Sequence, residues 1–177
     1  NLNINIIKGV VVVNKENFKN VPGFISFKSG HPIPNKIGLK ASKFIEEELS
    51  RLTENDLVLL FLSGGGSALL PYPCSKIKLE QKIKLNQYLI NSGATIQEVN
   101  TVRKHLSKIK GGNLLKFSHP AKVHSFILSD VIGDDLSSIS SGLTVPDNTQ
   151  FIDAKKILNK YNIWEKLPAS IKSYINK

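Results

Sequence analysis

In Asp56-Leu-Val-Leu-Leu-Phe-Leu-Ser-Gly-Gly-Gly-Ser-Ala-Leu-Leu-Pro71 an apolar strand runs directly into a glycine-rich turn and on toward a helix. That order is a strand-turn-helix unit of an α/β domain, and it also builds an anion site. Gly64, Gly65 and Gly66 carry no Cβ penalty for positive φ, so backbone N–H groups between Ser63 and Ser67 can point into one concavity. A following helix N-terminus would add partial positive charge, and the expected ligand is a phosphate or a carboxylate. Gly-Gly-Gly also makes floppy connectors, but its place directly after the Leu57 to Leu62 run argues against a linker. Neither a P-loop nor a dinucleotide fingerprint fits, because the glycines are contiguous and Ser67 rather than a lysine follows them.

Outward from this unit the same alternation continues. Ile4 to Val13 reads as a β-branched strand buried on both faces, the pattern of a parallel sheet covered by helices, and Gly23 to Phe27 as a shorter strand. Ser29-Gly-His-Pro-Ile-Pro-Asn35 is a proline-stiffened loop leading to a helix from Lys36 to Leu52, with Ile37, Ala41, Phe44, Ile45 and Leu49 as its apolar stripe. Beyond the glycine turn a helix over Leu79 to Asn91 ends near Gly93, and Ala94 to Leu115 is helical in parts with Gly111-Gly112 as a break. Val123 to Leu128 is a further strand, and helices over Phe151 to Tyr161 and Ala169 to Ile175 complete the pattern. Strands alternating with helices predict one α/β domain over residues 1–177, three-layered, with a mainly parallel sheet and ligands at the carboxyl ends of the strands.

Composition narrows the function classes. At 177 residues and 41% apolar content the chain suits a single folded unit, and its longest apolar runs fall far short of the roughly 20 residues that span a bilayer. A soluble, cytoplasmic protein is expected. The lone cysteine, Cys74, excludes an intrachain disulfide and any multi-cysteine metal site. A net charge of +10 invites a nucleic-acid reading, but the lysines are scattered, only Arg51 and Arg103 are arginines, and no strand carries the aromatics of a single-strand binder. The absence of methionine, at position 1 included, suits a fragment or a processed chain.

Three loops at strand ends are the places for chemistry: Gly30-His31-Pro32, Ser63 to Ser67, and Ser129 to Asp135. In an open α/β sheet they share one rim. A basic cluster, Asn100-Thr-Val-Arg-Lys-His-Leu-Ser-Lys-Ile-Lys-Gly-Gly112, would face that rim and bring Arg103 and Lys104 or Ser107 to bound phosphates, or else be a solvated helix face. Asp130, Asp134 and Asp135 are either hard-oxygen ligands for magnesium or caps of the loop they occupy. Ser140-Ser-Gly-Leu-Thr144 supplies hydroxyls for ligand contacts or for turns. Among the histidines, His31 and His105 rank above His119 and His124 as acid, base or hydrogen-bond donor to a substrate.

Taken together, Gly30-His-Pro-Ile-Pro-Asn35, Leu62-Ser-Gly-Gly-Gly-Ser-Ala-Leu-Leu70, Val102-Arg-Lys-His-Leu-Ser-Lys-Ile-Lys-Gly-Gly112, Leu128-Ser-Asp-Val-Ile-Gly-Asp-Asp135 and Ser141-Gly-Leu-Thr-Val-Pro-Asp147 resemble the glycerate 2-kinase family, some of whose members are called hydroxypyruvate reductases. The resemblance implies a two-domain enzyme that transfers the γ-phosphoryl group of ATP, with Mg2+, to the 2-hydroxyl of D-glycerate. It implies that residues 1–177 are part of the Rossmann-like N-terminal domain, without the family's first strand-helix unit, whose lysine is held to be catalytic, and without the C-terminal domain, which carries an essential arginine. Carried onto this chain, it gives Arg103, Asp130 and Asp134 as catalytic. Substrate and phosphate would be held by His31, Ser63, Gly64, Gly65, Gly66, Ser67, Lys104, His105 and Lys110, and magnesium by Asp130, Asp134 and Asp135. Leu143, Asn35 and Asn113 stand where the family usually has proline, aspartate and often arginine. The alternative expectation is a noncatalytic remnant, or one half of a split enzyme that binds a separately encoded C-terminal domain. A reductase reading stands third, since no dinucleotide fingerprint is present.

Overall fold

The structure, a computed structural model, describes residues 8–177. Two parallel strand pairs frame it. Gly9–Val13 (β1) lies beside Phe24–Lys28 (β2), with Val11 opposite Ser26, and Leu57–Leu62 (β3) lies beside Lys122–Ile127 (β4), with Leu60 opposite Ser125. The fold class is therefore α/β with short parallel sheets, as the alternation of elements predicts. The part of the first expected strand from Ile4 to Ile7 lies outside the described residues.

Helices form where the apolar spacing and the caps agree. Lys36–Leu49 (α1) starts at Asn35, whose Oδ1 accepts the Gly38 N–H at 2.9 Å, so asparagine serves as the cap that an aspartate would have made. It stops short of Leu52, because the Arg51 and Leu52 N–H groups turn back to the Glu48 and Leu49 carbonyls in a tighter final turn. The crossover from β3 to β4 carries Gly66–Leu69 (α2), Leu79–Asn91 (α3), Ile96–His105 (α4) and Leu114–Ser118 (α5). Thr95 and Glu98 cap α4 reciprocally, with bonds of 3.3 and 2.9 Å. Phe151–Lys160 (α6) and Ala169–Ile175 (α7) follow β4.

Two apolar clusters hold these elements. One joins α1 and both strand pairs: Ala41, Leu70, Ile109, Leu114 and Leu143 are buried, and Val12, Phe27, Val58, Leu60 and Leu62 pack onto them. The other is helical, with Leu85, Leu89, Val99, Val102, Leu106, Leu158 and Ile171 buried between α3, α4, α6 and α7. The apolar run of β3 is buried on one face only. Its Val58, Leu60 and Leu62 face the core, while Leu57, Leu59 and Phe61 point the other way and are 54%, 51% and 71% exposed. Successive strand residues alternate faces, and the described helices cover only one of them. On the open face Phe61 stacks on Phe126 with ring centroids 5.0 Å apart.

Candidate active site

The carboxyl ends of β3 and β4 lie side by side, with the Leu128 N–H donating to the Leu62 carbonyl at 2.8 Å, so the loops that leave them start together. The glycine turn is where they meet. Gly65 has φ of +80°, and a Cβ on it would fall 2.7 Å from Nε2 of His31, which comes from the loop after β2. A Cβ on Gly64 would collide with Oδ2 of Asp130, which comes from the loop after β4. Side chains from two other loops therefore occupy the space that any larger residue in the turn would need. Ser140 Oγ donates to the Ser63 carbonyl at 3.3 Å, and Ser141 Oγ donates to Asn100 Oδ1 at 3.0 Å. Ser67 Oγ lies 2.9 Å from Ser141 Oγ, whose single proton is already used, so Ser67 is the donor there and its oxygen remains free to accept. Ser140 and Ser141 hold φ of +52° and +58°, left-handed backbone that side chains disfavour and that gathers at ligand sites.

These loops border a cavity of about 350 Å3. His31, Gly65, Ser67, Arg103, Lys110 and Asp130 from the sequence-based set line it, so the shared rim expected of the three loops is present. Lys110 is 1% exposed, and its Nζ donates to the Ser67 carbonyl at 2.9 Å. Burial pushes its ammonium well below the ordinary lysine range, and Lys82 and Arg103 add to that. Arg103 Nε donates to Asn86 Oδ1 at 2.5 Å, with its guanidinium lowered by burial.

The remaining members of the set stand elsewhere. Ser63, Gly64 and Gly66 form the turn without lining the cavity. Lys104 and His105 belong to a separate buried cluster: Lys104 Nζ is 2.8 Å from Asp147 Oδ1, and His105 Nε2 is 3.0 Å from Thr149 Oγ1 and 3.8 Å from Asp147 Oδ2. Burial pushes the Asp147 carboxyl up, but hydrogen bonds from Lys104 and Thr149 outweigh it and hold the group below its usual value. Burial lowers His105 in turn, against the pull of Asp147. Lys104 thus has a carboxylate of its own, which sequence spacing gave no reason to expect. Asp135 acts as a loop cap, its Oδ2 accepting from the Ser137 and Ser138 hydroxyls at 3.0 and 2.6 Å. Asp134 sits at φ +52° in the same turn. Among the described residues no group of three or more His, Cys, Asp or Glu side chains could hold a metal ion. Asp130 is the one acid of the three on the cavity wall.

Lys82 lines the cavity as well and was absent from the sequence-based set. A signal for it exists: it falls between Leu79 and Leu85 on the buried stripe of α3, where a lysine is out of place. Ser140 and Asn100 also line the cavity, and only the fold brings them to the turn.

Fold and site define an α/β domain that gathers cations and a glycine turn around one cavity at its strand ends. The chain belongs to the family described as a domain of unknown function, DUF4147, whose model matches residues 1–176. It is 42% identical over 174 residues to the glycerate 2-kinase of Pyrococcus horikoshii, covering 98% of this chain and 39% of that protein. It is 45% identical over 159 residues to the D-glycerate 2-kinase of Thermotoga maritima, covering 89% of this chain and 38% of the relative. The crystal structure of glycerate kinase from Thermotoga maritima superposes with a TM-score of 0.88 at 43% identity, over 95% of this chain and 40% of that one. The chain thus spans about two fifths of the length of these relatives. Among the described residues no helix is long and apolar enough to cross a membrane.

Proposed function

We propose that this chain is the anion-holding portion, within the N-terminal α/β domain, of an enzyme that phosphorylates D-glycerate on its 2-hydroxyl with ATP. The observation that carries the reading is the meeting of the glycine turn, His31, Asp130, Arg103 and Lys110 at one cavity, in a chain 42% identical over 174 residues to a protein named glycerate 2-kinase. In this reading Ser67 and the turn hold a phosphate or the glycerate carboxylate, and Arg103 and Lys110 balance its charge. His31 donates a hydrogen bond to the substrate, and Asp130 orients the attacking hydroxyl or holds magnesium. A single carboxylate suits that ion, which is commonly bound by one or two carboxylates together with substrate phosphates. When bound it neutralises charge on the transferring group.

Phosphoryl transfer is mostly positioning and charge stabilisation, so a missing cation on one side of the γ-phosphoryl costs several kcal/mol of barrier. We therefore assign turnover to this stretch acting together with further chain, either continuous with it or separately encoded. The open apolar face of β3 and β4 favours such a partnership. Calorimetric titration of the 177-residue chain with Mg-ADP and with D-glycerate tests the reading. Saturable binding that Gly65→Val abolishes is the expected result, and absence of binding by demonstrably folded protein would overturn it.

A further inference from the structure

Lys82, Arg103 and Lys110 reach the same cavity from α3, from α4 and from the loop after α4. None of them makes an ion pair among the described residues, and residues 1–7 contain no Asp or Glu. Their partners are neutral. Lys82 Nζ donates to the Leu106 carbonyl at 2.9 Å and to that of Arg103 at 3.5 Å, Lys110 Nζ to the Ser67 carbonyl at 2.9 Å, and Arg103 Nε to the Asn86 amide oxygen at 2.5 Å. An ammonium has three N–H donors and a guanidinium five, so each group keeps donors to spare. Lys110 is buried and Lys82 and Arg103 are half-buried; carbonyls solvate a cation without neutralising it, so the charged forms are favoured when an anion arrives.

We propose that Lys82 completes a three-cation cradle with Arg103 and Lys110, and that the cradle takes a tetrahedral dianionic group, a phosphoryl or sulfate-like oxyanion, in preference to a carboxylate. The inference rests on the reading of this cavity as the ligand site and adds to it a residue and a ligand class. Charge and geometry favour the dianion. The wall carries three basic groups, Lys82, Arg103 and Lys110, against Asp130 as the sole acid, so with the lysines protonated it has positive charge in excess. The three cations border the cavity from separate elements, an arrangement that suits an oxyanion with oxygens in three dimensions better than a planar carboxylate.

The cradle couples binding to protons. Burial pushes the Lys82 ammonium down to about 7, with Arg103 lowering it further and Cys74 opposing, while Lys110 is also held low by burial. His31 and Asp130 are the other titratable groups on the wall. An anion raises both lysines, so binding takes up protons; affinity is greatest below the free value and falls as pH rises through it.

Sulfate is a suitable probe because its own charge is constant over this range. Titrated into the full chain at about pH 6 and about pH 8.5, it is expected to bind more tightly at the lower pH, with enthalpies that depend on the buffer's ionisation heat. Lys82→Met is expected to weaken sulfate by about tenfold or more and to remove part of the proton uptake. Lys82→Arg is expected to restore affinity while flattening the pH dependence, since a guanidinium stays charged throughout. Unchanged sulfate affinity and proton uptake in Lys82→Met would overturn the proposal. Should that variant fail to fold, an unaltered pH profile in Lys82→Arg would overturn it equally. Acetate binding as tight as sulfate would overturn the dianion preference. Sulfate binding without any D-glycerate or Mg-ADP binding would leave the cradle standing and remove the kinase reading; binding of those ligands without sulfate would do the reverse.

Discussion

A side chain at position 65 meets two obstacles at once, a left-handed φ of +80° and the His31 ring 2.7 Å from where its Cβ would be. Gly65→Val is therefore expected to lose about 1–3 kcal/mol of stability along with ligand binding, read from urea unfolding and calorimetry together. A variant that kept wild-type stability would show that the turn has room the structure denies. At Asp147 the cost arises from charge. Lys104 and Asp147 form a pair 2.8 Å apart with side chains only 8% and 14% exposed, so Lys104→Met strands a carboxylate in a largely dry setting. A loss of about 2–4 kcal/mol is expected in urea unfolding, and a loss below about 1 kcal/mol would mean that solvent reaches the pair. Residue type and spacing marked Lys104 as a phosphate contact. Its partner lies 43 positions later in the chain, at 147, beyond the reach of any local pattern.

Among the elements, α4 is the one whose start, end and orientation matter most, since it carries Arg103 to the cavity and Lys104 away from it. Its first turn is tied by Thr95 and Glu98, and Glu98 also accepts from Lys160 Nζ and the Tyr161 hydroxyl, both at 2.7 Å. Those two hydrogen bonds, followed by the Thr95 N–H, hold the Glu98 carboxyl down to about 2. A depressed carboxyl stabilises the fold above its ordinary value and loses that contribution as pH falls toward the folded one. The contribution of Glu98 should accordingly be lost between about pH 4 and about pH 2, and Glu98→Gln should flatten that part of a stability profile. An unchanged profile would assign acid sensitivity to other carboxylates. The start of α1 and the span of α3 were legible in the sequence, because they depend on neighbours a few residues away, whereas α4 was legible only as part of a stretch helical in places. The helix after the glycine turn was legible only in part: α2 is Gly66–Leu69, a single turn rather than the longer helix whose N-terminus would have added positive charge.

At the scale of the whole molecule, the two strand pairs share one helix-covered core and leave Leu57, Leu59, Phe61, Phe126 and Leu128 at the surface. An apolar face of this kind binds hydrophobic dyes and promotes association. Phe61→Ser is expected to lower dye fluorescence and concentration-dependent light scattering while leaving the melting temperature within a few degrees, because the ring is 71% exposed. A large fall in melting temperature would show that this face is packed rather than open. The 177-residue chain by itself is expected to show little or no phosphorylation of D-glycerate, and turnover at an ordinary kinase rate of about 1–100 per second would remove the assignment of catalysis to a larger assembly.

The order of strands, turns and helices was written in the sequence, as was the convergence of strand-end loops, because backbone propensity and apolar period act over short spans and parallel strands bring their carboxyl ends to one rim. Tertiary structure alone decided which charges meet: Lys104 takes Asp147, Asp135 caps its own loop, and Lys82 lines one cavity with Arg103 and Lys110, none of them in an ion pair among the described residues. The state of a charge depends on burial and on partners within a few ångströms, drawn from distant parts of the chain, and no local pattern records those distances.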